Sequence, residues 1–115
     1  MTKAGYYFES ELVSGSKGIY NKFMGYIYII GNAKPVLYVG VTSDLNKRIW
    51  EHKNKIIKGF SYKYNLNKLL FFEEFPTIIQ AIEMEKKIKN WHRDWKLNLI
   101  KQSNPTFEDL AKGWY

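Results

Sequence analysis

Between Leu37 and His52 the chain passes from one backbone habit to another within a few residues, and that change limits what it can fold into. Leu37, Tyr38 and Val39 form a β-prone run that Gly40 ends. Thr42, Ser43 and Asp44 follow, and their side-chain oxygens suit the orphan N–H groups at the start of a helix. Beyond them Leu45, Ile49 and Ile56 fall on one stripe of a 3.6-residue repeat. This predicts a helix from Asp44 to about Lys58, stopped by Gly59. Arg48 and His52 are four residues apart and stack on the edge of the same stripe. A strand thus delivers a tyrosine and a helix brings back an arginine and a histidine, which makes this stretch a candidate active site.

The flanking sequence supplies more strands and helices. Gly25–Ile30 sets Tyr26, Tyr28 and Ile30 against Ile27 and Ile29, all β-formers, which predicts a strand covered on both faces. Gly31–Pro35 makes a turn, and Val36–Val39 returns as the other arm of an antiparallel hairpin. Residues 59–67 read as a loop and Lys68–Phe75 as a third strand, halted by Pro76. Thr77 with Gln80 has the form of a capping box, opening a helix to about His92. A further helix runs from Asp94 to Gln102, and a short last turn is expected at Phe107–Lys112. The order β-β-α-β-α-α predicts a small α/β domain with helices on a three-stranded sheet. Residues 1–23 read as a loosely ordered extension with a short strand near Tyr6–Phe8, residues 24–103 as the folding unit, and 104–115 as a tail or short helix.

Composition narrows the chemistry. A chain of 115 residues without cysteine has no disulfides and no thiolate metal site. Its apolar runs are too short to span a bilayer, and the first residues lack a signal-peptide core, so a soluble cytoplasmic protein is expected. The net charge is +7, with nine Tyr and four Trp interleaved among the basic residues. That mixture suits a polyanion carrying stackable bases. The plainer alternative is a lysine-rich surface that only keeps the protein in solution.

One residue breaks the pattern of the Thr77–His92 helix. Its apolar stripe collects Ile78, Ala81, Ile82, Met84, Ile88, Trp91 and Trp95, and Glu85 falls inside it. An ionised carboxylate facing a core costs several kcal/mol unless it is paired or holds a metal. Two readings stand: a functional acid, or a partly exposed Glu85 paired with Lys89 at i+4.

The run Tyr26-Ile27-Tyr28 is followed by Tyr38-Val39-Gly40, then by Arg48 ten residues after Tyr38 and His52 fourteen after it. Ala81-Ile82-Glu83-Met84-Glu85 comes later. In this order and spacing the set resembles the GIY-YIG nucleases over roughly residues 25–100. Tyr26 stands where the family usually has glycine, as it does in small single-domain members. Gly18-Ile19-Tyr20 spells the first tripeptide letter for letter, but it precedes Tyr38 by eighteen residues and no β run follows it. Tyr28 is therefore taken as the motif tyrosine.

The resemblance implies the family's fold, a three-stranded antiparallel sheet flanked by helices, and its reaction, hydrolysis of phosphodiester bonds in DNA. It implies Glu85 as ligand to one divalent cation, Mg²⁺ or Mn²⁺, and Arg48 as partner of the scissile phosphate. Tyr38 or Tyr28 would position or deprotonate water, and His52 would orient that tyrosine or a phosphate. The proton-taking group among Tyr28, Tyr38 and His52 stays open. Taken singly, Tyr28 and Tyr38 also read as cross-strand packing partners, Arg48 as a surface charge and His52 as an edge histidine. Val41 departs from the lysine many members carry, a substitution the branch acting on branched DNA tolerates. Asn98 and Asn104 both compete for the place of a late family asparagine.

A binding face is expected along Lys47, Lys53, Lys55 and Lys58, continuing into Tyr62, Lys63 and Tyr64. Its lysines would meet phosphates and its tyrosines would stack on unpaired bases. A second run, Lys86, Lys87, Lys89 and Arg93, reads as a solvated helix face. The leading expectation is a metal-dependent endonuclease on DNA, with branched or damaged DNA as a candidate substrate and specificity drawn either from the core's own surface or from a protein partner. The alternative is a non-catalytic nucleic-acid-binding module of the same fold.

Overall fold

The computed structural model describes residues 24–115. The expected extension 1–23, its strand near Tyr6–Phe8 and the Gly18–Tyr20 tripeptide lie outside those residues. Three strands form one antiparallel sheet in the order β2-β1-β3: β1 is Gly25–Gly31, β2 Leu37–Thr42 and β3 Lys68–Phe75. Among the described residues there are four helices: α1 is Leu45–Lys53, α2 Phe60–Lys63, α3 Ile78–Lys89 and α4 Arg93–Ser103.

β1 is the central strand, so its alternating residues enter two different cores. Ile27 and Ile29 pack with Val39, Val41 and Leu70 against Ile78, Ala81 and Ile88 of α3 and Ile100 of α4. Tyr28 and Ile30 pack with Tyr38, Leu69 and Leu66 against Leu45 and Ile49 of α1. Helices thus cover both faces, as the apolar sequence of β1 requires. α3 comes close because residue 25 is glycine: a Cβ there would meet Ala81 Cβ and Ile78 Cα at 2.7 Å.

α1 and α3 begin as their sequences predict. Asp44 caps α1 by accepting a hydrogen bond from Lys47 N at 3.1 Å. Thr77 and Gln80 form the reciprocal capping box of α3. Their ends differ from expectation. α1 stops at Lys53 and does not reach Lys58; Lys55 takes φ +57 and turns the chain away. Ile56 is accordingly 54% exposed, because the core under α1 is closed by Leu66 and Ala111 from later in the chain. Gly59, at φ +124, precedes α2 where a loop was expected. α3 ends at Lys89, short of His92, and the break resets the helical period, leaving Trp95 56% exposed outside the stripe assigned to it.

Residues 104–115 run as successive turns docked on β3. Asp109 Oδ1 accepts from Leu69 N and Ala111 N, each at 3.0 Å, and Leu110 N donates to Leu69 O at 2.8 Å. Asn104, 4% exposed, donates from Nδ2 to Leu70 O and Glu108 O and accepts from Glu108 N.

One pairing positions the functional centre. Gly40 lies opposite Tyr28 across the β1–β2 ladder, and a Cβ on it would stand 2.4 Å from Cζ and Oη of Tyr28. Gly40→Ala should destabilise the fold by about 1–3 kcal/mol through overpacking. Gly40→Ala/Tyr28→Val should cost less than the sum of its single changes, measured by urea denaturation. Additive costs would show that the two residues do not compete for the same space.

Candidate active site

The β1–β2 register decides which aromatic rings meet. Tyr28 faces Gly40 and Tyr38 faces Ile30, so the two tyrosines are diagonal neighbours on one face and not direct partners. Their ring centroids are 6.4 Å apart. α1 lays Leu45, Arg48, Ile49 and His52 onto that face, all four buried. The His52 ring sits 5.6 Å from Tyr28 and 5.9 Å from Tyr38, and the three rings form a triangle.

A continuous hydrogen-bond chain runs through this triangle. Tyr28 Oη is 2.9 Å from His52 Nε2, and His52 Nδ1 is 2.8 Å from Ser61 Oγ. A neutral imidazole has one N–H donor and one bare acceptor nitrogen, so its two partners must have opposite roles. With the proton on Nδ1, His52 donates to Ser61 Oγ and Nε2 accepts the Tyr28 hydroxyl. Ser61 is buried and comes from α2, the element that sequence reasoning read as loop. Its one sequence signal was its place in an aromatic run just after Gly59. Phe60 of the same helix stacks on Tyr38 at 6.3 Å and closes that side.

Burial dominates the electrostatics. It pushes the Tyr28 phenol well above its ordinary value, with the neighbouring Tyr38 and the Glu85 carboxylate adding to the rise and Arg48 opposing it. Tyr38 is raised in the same way, by burial first and then by Glu85, again against Arg48. His52 is lowered to about 3 by burial and by the Arg48 charge. At neutral pH the centre therefore holds two phenols and an uncharged imidazole. Arg48, itself 8% exposed, also lies 3.5 Å through Nε from Glu51 Oε1.

Glu85 reaches these groups from α3 at the β2 edge of the sheet. It is 2% exposed on the same helix face as Ile78, Ala81 and Ile88, and Lys89 Nζ is 2.8 Å from its Oε2. The pairing with Lys89 expected from the i+4 spacing is present, but Glu85 is buried and not partly exposed as that reading had it. The Lys89 ammonium also stands 5.4 Å from the centroid of the Tyr38 ring. Tyr28, Tyr38, Arg48, His52 and Glu85 consequently share one electrostatic neighbourhood.

Among the described residues no group of three or more His, Cys, Asp or Glu is arranged around a common point for a metal. A divalent cation at Glu85 would have one protein carboxylate and would draw its other ligands from water and phosphate. That donor set suits Mg²⁺, which keeps much of its water shell.

The expected binding face divides. Lys47, Lys55, Lys58 and Lys63 are exposed, as are Tyr62 and Tyr64. Lys55 Nζ lies 5.8 Å from the Tyr62 ring and Lys63 Nζ 5.4 Å from the Tyr64 ring. Lys53 is different: its ammonium is tied to Asp109 and to Asn67 O, so it fastens the C-terminal turns. Asn98 is exposed on α4, whereas Asn104 is buried in the turn it organises.

The depressed His52 makes stability depend on pH with a definite sign. The unfolded chain takes up a proton near pH 6.5 and the native imidazole only near pH 3, so stability is complete above 6.5 and falls as pH drops towards 3. The loss has an upper bound of roughly 5 kcal/mol. His52→Gln should flatten this limb in urea titrations between pH 7 and 4. An unchanged slope would mean that His52 is not held neutral.

The sequence of residues 24–98 matches the model of the GIY-YIG catalytic domain. A UPF0213 protein of Clostridium perfringens is 36% identical over 93 residues, covering 77% of this chain and 96% of that protein. One from Haloquadratum walsbyi is 32% identical over 81 residues, covering 67% of this chain and 86% of its own. The solution NMR structure of a UPF0213 protein from Bacillus halodurans superposes with a TM-score of 0.51 at 23% identity, covering 79% of this chain and 97% of the other. That likeness shows a shared fold. The triangle of Tyr28, Tyr38 and His52, with Arg48 and Glu85 beside it, lies wholly within the matched span, and the chain belongs to the GIY-YIG catalytic domain family.

Proposed function

We propose that this protein is a metal-dependent endonuclease that hydrolyses phosphodiester bonds in DNA, with branched or damaged DNA as its preferred substrate. The observation that carries this reading is the hydrogen-bonded chain Tyr28–His52–Ser61 set beside a buried arginine and a buried glutamate. Phosphodiester hydrolysis needs a proton acceptor for water and positive charge around the developing phosphorane.

Tyr28 is the group we assign to the water. Its phenol is protonated at rest, so it takes a water proton only as it passes its own to His52 Nε2, 2.9 Å away. The imidazolium formed is disfavoured in the free protein by burial and then by Arg48, and a bound phosphate anion opposes the Arg48 part of that cost. Ser61 Oγ accepts the Nδ1–H in the tautomer that leaves Nε2 bare for the Tyr28 proton. Arg48 is assigned to the scissile phosphate, since its guanidinium fork fits two phosphate oxygens. A divalent cation held by Glu85 would supply the remaining counter-charge and steady the leaving oxygen. The exposed residues Lys47, Lys55, Lys58 and Lys63, with Tyr62 and Tyr64, are the surface along which the nucleic acid would lie.

The activity test is nicking of labelled branched DNA and of plain duplex, with Mg²⁺ or Mn²⁺ and with chelator. Tyr28→Phe and Glu85→Gln, each verified as folded, should lose about 10²-fold or more in rate. Metal-independent cleavage, or cleavage that survives both changes, would overturn the reading. Binding without cleavage on any substrate would favour the non-catalytic module. DNA affinity should also fall steeply with salt, and replacing each of Lys47, Lys55, Lys58 and Lys63 by alanine should flatten the log–log slope by about 0.9. Lys53→Ala should act on stability and leave that slope unchanged. An equal salt effect from Lys53→Ala would move the binding face.

A further inference from the structure

Lys89 enters none of the steps assigned above, yet its ammonium stands against two of the site's residues. It lies 2.8 Å from Glu85 Oε2 and 5.4 Å from the Tyr38 ring centroid. Its side chain is 13% exposed and that of Glu85 3%, so the pair is not one of the screened i,i+4 surface bridges that helices commonly carry. Nor does packing require it. The rest of that helix face is Ile78, Ala81 and Ile88, and an apolar pair at 85 and 89 would fill the same layer without the cost of burying two charges.

We infer that Lys89 is the resident counter-cation of Glu85, and that a divalent metal loads by displacing its ammonium from the carboxylate. The inference rests on the reading of Glu85 as the metal ligand. Lys89 holds Oε2, and a divalent cation seated on that same oxygen would meet the ammonium at contact distance, so loading there and the ion pair exclude each other. The Lys89 stem carries four rotatable methylenes, which let its ammonium swing away from the carboxylate. Lys96, whose Nζ reaches Lys89 O at 3.4 Å, adds like charge from α4 that favours departure. The charge released from Glu85 stays beside Tyr38, within reach of a phosphate in the site. Substrate and metal then promote each other's binding, since the phosphate accepts the ammonium that the metal evicts.

Mn²⁺ binding to the full chain, without DNA, tests this by isothermal titration and by loss of the free-ion EPR signal. Lys89→Met should bind Mn²⁺ at least about tenfold more tightly than the unaltered protein, and Mn²⁺ should raise its melting temperature more. Glu85→Gln and Glu85→Gln/Lys89→Met should lose that binding. Equal Mn²⁺ affinity with and without Lys89, while Glu85→Gln abolishes binding, would overturn the inference and leave Glu85 as ligand. Unchanged Mn²⁺ affinity in Glu85→Gln would overturn both. The unaltered protein gives a second readout that needs no folded variant. On saturation with Mg²⁺, the NMR resonances of the Lys89 Cε and Nζ groups should move together with the Glu85 carboxyl carbon. A carboxyl that shifts while the Lys89 signals stay fixed would overturn the displacement.

Discussion

The absent side chain of Gly40 is what the functional centre depends on. Antiparallel pairing puts Gly40 opposite Tyr28, and the phenol lies over the place a Cβ would fill. That position lets Tyr28 Oη reach His52 Nε2 while both remain in the core under α1. Moving the β1–β2 register by one residue would put Tyr28 and Tyr38 on opposite faces of the sheet and break their triangle with His52. The glycine is therefore a matter of cross-strand space, and its backbone needs no left-handed conformation. The other close approach, at Gly25, has the same cause and brings α3, with Glu85, down onto the sheet.

Around that contact the protein buries polar groups in an order that makes sense only as a set. Arg48 would be costly alone, and so would Glu85. Placed in one neighbourhood, with Glu51 and Lys89 as direct partners, each charge reduces the cost of another. The neutral groups between them, two phenols and an imidazole, are held protonated or uncharged by burial. On the reading proposed above, an anion entering this centre would let a proton pass from Tyr28 to His52. Layering explains how residues so far apart in sequence converge: α1 and α2 supply one side, α3 reaches the β2 edge from the other, and only the edge strand lies between.

Much of this was legible beforehand. Period two in β1 and period 3.6 from Leu45 announced the elements, and Asp44 and Thr77 marked helix starts by local hydrogen bonds that need nothing distant. Helix ends were less legible because they answer to packing. Ile56 fits the α1 stripe by period but finds its place in the core taken by Leu66 and Ala111, and Trp95 loses its stripe at the break after Lys89. Lys53 read as a phosphate contact until Asp109, far along the chain, proved to be its partner. Ser61 had no pattern to announce it, since a single hydroxyl acquires its role only when α2 is folded against His52.

By itself the sequence determined the order of the three strands and the three longer helices, the tyrosine–glycine spacing of the hairpin and the shared face of Arg48 and His52. All of these follow from local periodicity and short-range sterics. The tertiary structure alone decided that Tyr28 sits diagonal to Tyr38, that Ser61 closes the hydrogen-bond chain, and that Glu85 meets Lys89 beneath the Tyr38 ring. Those facts depend on register and on which surfaces bury one another, and contacts between distant segments leave no periodic trace in the residues that make them.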